Sequence, residues 1–257
     1  MKNSWNLKNK KAFVTGGSKG IGKATVIEFL ELGADVLFSA RNEDEIQNLE
    51  KELKKEFPNS FVKGLKADVT SKRERKTISD WIEKNFQKLD ILVNNAGINI
   101  RKSALEYSEE EYRKILEINL IAPFEVSRIL YPLLQKSQTA SVINVGSVAG
   151  SQDVNSGLPY AMSKGGINQQ TRSFAVEWAK ENIRVNTVSP WYTKTPLTEA
   201  VFENKEKLEN ILLRTPLGRI ADAEEMASVI AFLAMDKSSY LTGQNITMDG
   251  GMSVSVF

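Results

Sequence analysis

Short β-branched runs alternate along the chain with longer stretches whose apolar residues recur at helical spacing. Lys11–Thr15, Asp35–Ser39, Phe61–Lys66, Leu89–Val93, Ser141–Gly146, Ile183–Val188 and Asn245–Met248 predict strands. Gly20–Leu32, Glu43–Phe57, Ser71–Phe86, Glu109–Lys136, Ala161–Glu181 and Asp222–Met235 predict helices. Gly33 reads as the stop of the first helix and Pro58 halts the second; Pro123 predicts a bend in the fourth. Strands separated by helices imply βαβ units. The expected fold class is therefore α/β: a doubly wound parallel sheet of about seven strands with helices on both faces and right-handed crossovers. No repeat or linker interrupts the pattern, so residues 1–257 read as one domain. Pro190–Asn210 is the least regular long stretch, and it suggests a mobile lid over about 190–215.

Composition narrows the chemistry. Of 257 residues, 26% are charged and 41% apolar, which excludes a disordered or fibrous chain. Lys+Arg is 34 against Asp+Glu 32, too balanced to announce nucleic acid or an anionic membrane. There is no Cys and no His. This excludes disulfides, thiolate nucleophiles, Ser-His-Asp triads and Cys- or His-ligated metals, and no metal site is expected. Acid–base work near neutral pH must fall to Tyr, Lys, Asp or Glu. The apolar run Val229–Met235 is far short of the ~20 residues a membrane helix needs. Met1–Lys11 is polar and basic, without a hydrophobic signal core, so a cytoplasmic location is the default.

Between the first strand and first helix lies Thr15-Gly16-Gly17-Ser18-Lys19-Gly20-Ile21-Gly22. A Gly-rich turn opening a helix suits a dinucleotide pyrophosphate, as in Rossmann-type folds: glycines admit close approach, and the helix N-terminus offers free N–H groups. The G-x-G-x-x-G fingerprint is not met, because Thr25 stands where the third Gly belongs. A tight turn that binds nothing is the plain alternative. Gly17-x-x-x-x-Gly22-Lys23 also begins like a Walker A loop, but residue 24 is Ala rather than the Ser or Thr that holds Mg²⁺. The second strand ends without the carboxylate that would bind a ribose 2′-OH, and Arg41 follows at once. Arg41, joined by Ser18 and Lys19, suits a 2′-phosphate, hence NADP(H). The alternative for Arg41 is a surface charge pairing with Glu43 or Glu45.

Tyr160 and Lys164 stand four apart, on one face of a helix, shortly after Gly146-Ser147 at a strand end. An ammonium ~5 Å from a phenol lowers its pKa by about 2 units at an effective dielectric of ~20. Tyr160 then becomes a usable proton donor in a chain without His. A Tyr-x-x-x-Lys pair alone is usually a surface pair; its weight here comes from Ser147 and the glycine loop.

These residues, with Asp68-Val69, Asn94-Asn95-Ala96-Gly97, Asn119, Pro190, Thr195 and Asp249-Gly250-Gly251, resemble the short-chain dehydrogenase/reductase family over essentially the whole length. Ser39-Ala40-Arg41-Asn42-Glu43, Glu177-Trp178-Ala179-Lys180 and Pro190-Trp191-Tyr192 make the tropinone reductase-like subfamily the nearest resemblance. The resemblance implies catalytic roles for Asn119, Ser147, Tyr160 and Lys164: Tyr160 donates the proton, Ser147 fixes the substrate oxygen, Lys164 binds the nicotinamide ribose and Asn119 holds a relay water. It implies cofactor contacts at Gly16, Gly20, Ile21, Gly22, Asp68, Val69, Asn95, Ala96, Gly97, Thr193 and Thr195. Asp68 has a turn-capping alternative, and Asn94 and Asn119 have structural-amide alternatives. Ser147 has a turn-residue alternative. The implied activity is NADPH-dependent reduction of a ketone to a secondary alcohol, or its reverse, in a homotetramer or homodimer contacting through Asp222–Phe257. A catalytically silent NADP-binding sensor or scaffold is the alternative.

Ser147, Leu158, Tyr160, Trp191 and Tyr192 are the expected substrate contacts, with Asn99, Gln152 and Asp153 at the rim. Their apolar character suggests a small, cyclic or apolar ketone. Two departures stand out. Trp191 follows Pro190 where the family usually has Gly, so it either walls the pocket or packs against the lid. Gly146 precedes Ser147 where Ser is common.

Overall fold

Seven runs of β-branched and apolar residues pair into one sheet whose five inner strands are buried on both faces, as a parallel sheet requires, while the two edge strands are partly exposed. The computed structural model describes residues 5–255. Met1–Ser4, the start of the polar, basic N-terminal stretch, and Val256–Phe257, the end of the expected subunit-contact region, lie outside the described residues.

The strands are β1 (Lys11–Thr15), β2 (Asp35–Ala40), β3 (Val62–Lys66), β4 (Ile91–Asn94), β5 (Ala140–Val145), β6 (Ile183–Pro190) and β7 (Asn245–Met248). All pair in parallel, in the order β3-β2-β1-β4-β5-β6-β7. The order reverses between β1 and β4, which opens a crevice at the C-terminal ends of those strands.

Helices α1 (Gly20–Glu31), α2 (Glu43–Glu56) and α9 (Ala223–Ala234) cover one face through Val26, Phe29, Leu49, Leu53 and Ile230. On the other face, α3 (Lys72–Asn85), α5 (Ala122–Gln135) and α6 (Leu158–Glu177) contribute Ile78, Ile82, Val126, Leu130 and Phe174. Asn42 and Ser71 cap α2 and α3 by accepting from the Glu45 and Glu74 amides.

Two expected elements differ. The long helix over 109–136 is α4 (Glu109–Leu116), a π-turn over Glu117–Ile121, then α5. The wide turn sits just before Pro123, which has no N–H to donate to the Asn119 carbonyl four residues back. The stretch expected to be irregular holds α7 (Glu199–Phe202) and α8 (Lys205–Leu213). Asn204 caps α8 by accepting from the Lys207 amide.

Candidate active site

The glycine loop lies at the strand-order reversal, and sterics dictate its residues. Gly16 and Gly20 have φ of +66° and +51°, which favour glycine. At Gly22 a Cβ would drive into the Gly16 carbonyl oxygen. Asn95 locks the loop from β4: its side-chain amide donates to the Thr15 and Gly16 carbonyls at 2.9 and 3.0 Å. Lys19 begins α1 without a side-chain cap, and the first turn holds no acid. The leading N–H groups of α1 therefore face the cleft without a side-chain partner.

A cavity of about 310 Å³ runs from this loop past Arg41, Asp68, Val69 and Ile118. The Ser39 hydroxyl in its lining is buried and has no hydrogen-bond partner. Arg41 is exposed and makes no ion pair, so the expected alternative, pairing with Glu43 or Glu45, is not what the structure shows. Glu45 instead holds the other two predicted phosphate ligands: Lys19 Nζ lies 2.7 Å from one oxygen, and Ser18 Oγ donates to the other at 3.4 Å. Asp68 Oδ1 accepts from the Thr70 amide and hydroxyl at 2.9 and 2.7 Å, so it caps a turn while lining the cavity.

The cleft continues, sharing Gly16, Lys19, Ala96, Gly97 and Ile98, into a second cavity of about 250 Å³. Ser147, Tyr160, Lys164, Trp191, Thr193 and Thr195 meet there. Tyr160 stands in the first turn of α6, which begins at Leu158 rather than at the expected Ala161. Lys164 is buried and donates to the Val145 carbonyl at 2.7 Å. Its Nζ lies 5.7 Å from the Tyr160 ring centre. Burial lowers Lys164 from 10.5 to about 8. Burial also raises the Tyr160 phenol, against the pull of Ser147 and Arg101, while Tyr192 adds to the rise. This corrects the expectation that Lys164 lowers Tyr160. Only the charge of Lys164 was counted there, whereas burial is the largest influence on the phenol.

Ser147 accepts from the Ala149 amide at 3.2 Å, which leaves its O–H to donate toward the Tyr160 oxygen and the cleft. A Cβ at Gly146 would lie 2.6 Å from both Ser189 Oγ and Thr187 Cγ2, so glycine here is matched by larger neighbours on β6. The Asn119 side chain is spent on the chain after β4. It accepts from the Ile98 amide at 2.9 Å and donates to the Ile98 carbonyl at 2.8 Å.

Trp191 does both things expected of it. It lines the cleft, stands edge-on to Tyr192 at 4.7 Å, and donates from its indole N–H to Thr215 at 3.2 Å below α8. Leu158 is exposed at the start of α6 and lines none of the cavities described, against expectation. Asn99, Gln152 and Asp153 line none either; Asn99 donates to the Ser156 carbonyl at 3.0 Å, tying two loops together.

Beyond Trp191 and Tyr192 opens a further cavity of about 420 Å³ whose lining includes Arg101, Lys207 and Arg214. Sequence reading named none of the three, although the expected lid over about 190–215 covers Lys207 and Arg214. The available signal was the spacing of Lys207, Asn210, Ile211 and Arg214, at i, i+3, i+4 and i+7 on one helix face.

Comparison with known proteins agrees with this geometry. A family model described as Enoyl-(Acyl carrier protein) reductase matches residues 16–253. A tropinone reductase homolog of Arabidopsis thaliana is 44% identical over 98% of this chain and 96% of its own. A tropinone reductase homolog of Datura stramonium is 39% identical over 98% and 95%. Among solved structures, a gluconate 5-dehydrogenase of Burkholderia cenocepacia in complex with NADP and tartrate superposes with TM-score 0.94, at 27% identity over 99% of both chains. A short-chain type dehydrogenase/reductase of Mycobacterium marinum gives TM-score 0.91, at 30% identity over 98% of both. The chain belongs to the short-chain dehydrogenase/reductase family of NADP-dependent oxidoreductases, with the tropinone reductase homologs among its relatives.

Proposed function

We propose that the protein reduces a ketone to a secondary alcohol with NADPH, and runs the reverse oxidation. The observation that supports this most is the convergence of Ser147, Tyr160 and Lys164 in one cleft with the glycine loop. The residues suit a dinucleotide: Gly22 leaves a cradle that a Cβ would fill, and the Ser39 hydroxyl awaits a partner at the far end. The uncapped start of α1 would hold the pyrophosphate. Arg41 would hold the 2′-phosphate, with Ser18 and Lys19 once they leave Glu45. Asp68 and Val69 would flank the adenine, Ala96 and Gly97 the neighbouring ribose, Lys164 the nicotinamide ribose, and Thr193 and Thr195 the carboxamide.

When bound, NADPH supplies hydride to the carbonyl carbon. Tyr160 gives its proton to the carbonyl oxygen, and Ser147 donates a hydrogen bond to that oxygen. Lys164, with a value of about 8, holds the replacement proton near working pH. The relay water belongs at the Asn119 carbonyl rather than its occupied side chain, because Pro123 leaves that carbonyl without its helical donor. Residues 190–215 act as the lid. Among the described residues no helix is long and apolar enough to cross a membrane, and we place the enzyme in the cytoplasm. Met162 and Val176 leave apolar surface exposed on α6, which suits a homotetramer or homodimer.

The test is Tyr160→Phe assayed with a ketone panel. Turnover should fall by about 10²–10⁴-fold while NADPH binding is kept. Substantial residual turnover would refute the proton-donor assignment. Wild-type protein that binds NADPH yet turns over no ketone or alcohol would favour the silent sensor.

A further inference from the structure

The cavity beyond Trp191 has apolar walls and a cationic rim. Val154, Trp191, Tyr192, Val201 and Ile211 form the walls; Arg101, Lys207 and Arg214 supply three positive charges, and no Asp or Glu lines it. None of the three cations makes a side-chain hydrogen bond or ion pair, whereas the nearby Lys102, Lys194 and Arg219 are paired with Glu111, Asp222 and Glu225. The nearest acid in sequence, Asp153, accepts from the Asn155 amide at 3.0 Å and is not part of the lining.

The backbone segments that carry the cations are tied down. Tyr107 fixes the loop carrying Arg101: its hydroxyl donates to the Ile100 carbonyl at 2.6 Å and accepts from the Lys102 amide at 3.2 Å. Lys207 lies on α8 and Arg214 at its C-cap, two turns further on. That helix is tied at its start by the Asn204 cap, and at its end by the Thr215 hydroxyl, which joins Ile211 to Trp191. The cavity adjoins the catalytic cleft, because Trp191 lines both and the Arg101 charge acts on the Tyr160 phenol.

We propose that the carbonyl substrate carries a carboxylate, which docks among Arg101, Lys207 and Arg214 while its apolar body lies on Trp191, Tyr192 and Ile211. The proposal rests on the ketone-reductase reading above and names its substrate class. An oxo acid takes hydride from NADPH at the carbonyl carbon and a proton from Tyr160 at oxygen, giving the hydroxy acid and NADP⁺; the carboxylate is unchanged. Unpaired guanidinium groups over an apolar wall suit a carboxylate, because Arg is weakly hydrated and binds both oxygens through its fork.

The test uses oxo acids from 4-oxopentanoate to 7-oxooctanoate, each against its methyl ester, with initial rates read as NADPH absorbance. At least one acid should exceed its ester about tenfold in kcat/KM, and the advantage should shrink as salt rises. The double variant Arg101→Gln/Arg214→Gln should bring the acid-to-ester ratio toward one. Lys205→Gln, on α8 but outside the cavity, should leave that ratio where it is. Equal or better turnover of every ester, or an acid preference that survives the double variant, would overturn the proposal. If no carbonyl compound is turned over, the reductase reading fails on its own. The docking claim is then read by calorimetry, titrating the matching hydroxy acids and their esters into the protein–NADP⁺ complex. Hydroxy acids that bind no better than their esters would overturn it.

Discussion

Replacing Lys164 with Met should stabilise the protein at neutral pH in the absence of nucleotide. Lys164 is 5% exposed and makes no ion pair; it donates to the Val145 carbonyl. Burial takes it from 10.5 to about 8, so holding the ammonium inside the fold costs about 3 kcal/mol below pH 8, at 1.36 kcal/mol per tenfold change. Methionine removes that cost but also removes a charged hydrogen bond, worth about 1.5–3 kcal/mol. The net gain at pH 7 is therefore up to about 1.5 kcal/mol. The sign with pH follows from proton counting. The folded value lies below the unfolded one, so between about pH 8 and 10.5 the unfolded chain binds more protons. Wild-type stability must then rise with pH relative to the variant, and the variant's advantage should close and reverse by about pH 10. Urea unfolding of both proteins by tryptophan fluorescence, without nucleotide, from pH 7 to 10 measures this. A stability difference that stays flat across that window would refute the reasoning.

The remaining predictions concern the cofactor cleft and its supports. Arg41→Ala should weaken NADPH by about 1.5–3 kcal/mol and leave NADH nearly unchanged in fluorescence titration. Glu45→Gln should act in the opposite direction, tightening NADPH up to about fivefold, because it frees Lys19 and Ser18 and removes a negative charge beside the phosphate site; unchanged NADPH affinity would remove the case for Glu45. Gly22→Ala should abolish NADPH binding and lower the melting temperature, since the added methyl collides with the Gly16 carbonyl. Thr171→Val should cost about 2–4 kcal/mol in urea unfolding at constant m, because it strips partners from both Asn144 and Thr187 in the core.

Sequence pattern located the seven strands because a doubly covered sheet needs unbroken apolar runs, and Val36, Leu37, Ile91, Leu92, Val142 and Val185 are all fully buried. It paired Tyr160 with Lys164, which line one cleft, because a four-residue helical spacing is local. It failed where the deciding contact is distant. Arg101 meets Lys207 and Arg214 only after β4 and α8 are brought to the same edge of the sheet. The helix α8 itself was hidden, because it buries only Ile211 and follows a stretch broken by Pro190 and Pro196. The expected Leu158 contact failed for a local reason: after Gly157, at φ +98°, the first residue of α6 turns to solvent. The expected phenol shift failed because a spacing argument carries charge but not burial.

The same burial that opposes ionisation also fixes the geometry. A parallel sheet covered on both faces has no water to satisfy polar side chains, so any that enter must find each other. Here they form one continuous chain. Asn94 on β4 donates to Ser127 on α5 at 3.0 Å and to Asn144 on β5 at 2.8 Å. Asn144 donates to Thr171 on α6 at 2.8 Å, and the Thr171 hydroxyl meets that of Thr187 on β6 at 2.7 Å. Thr171 lies about three turns beyond Tyr160 on the same face of α6, with Lys164 between them. Sliding α6 by one residue would break the chain and turn Tyr160 away from Ser147 at once. Greasy contacts such as Ile167 and Phe174 hold the helix against the sheet but would tolerate small slips, whereas each buried amide accepts only one register. The Tyr160 phenol is therefore positioned from below, by polar groups that do not line its cleft.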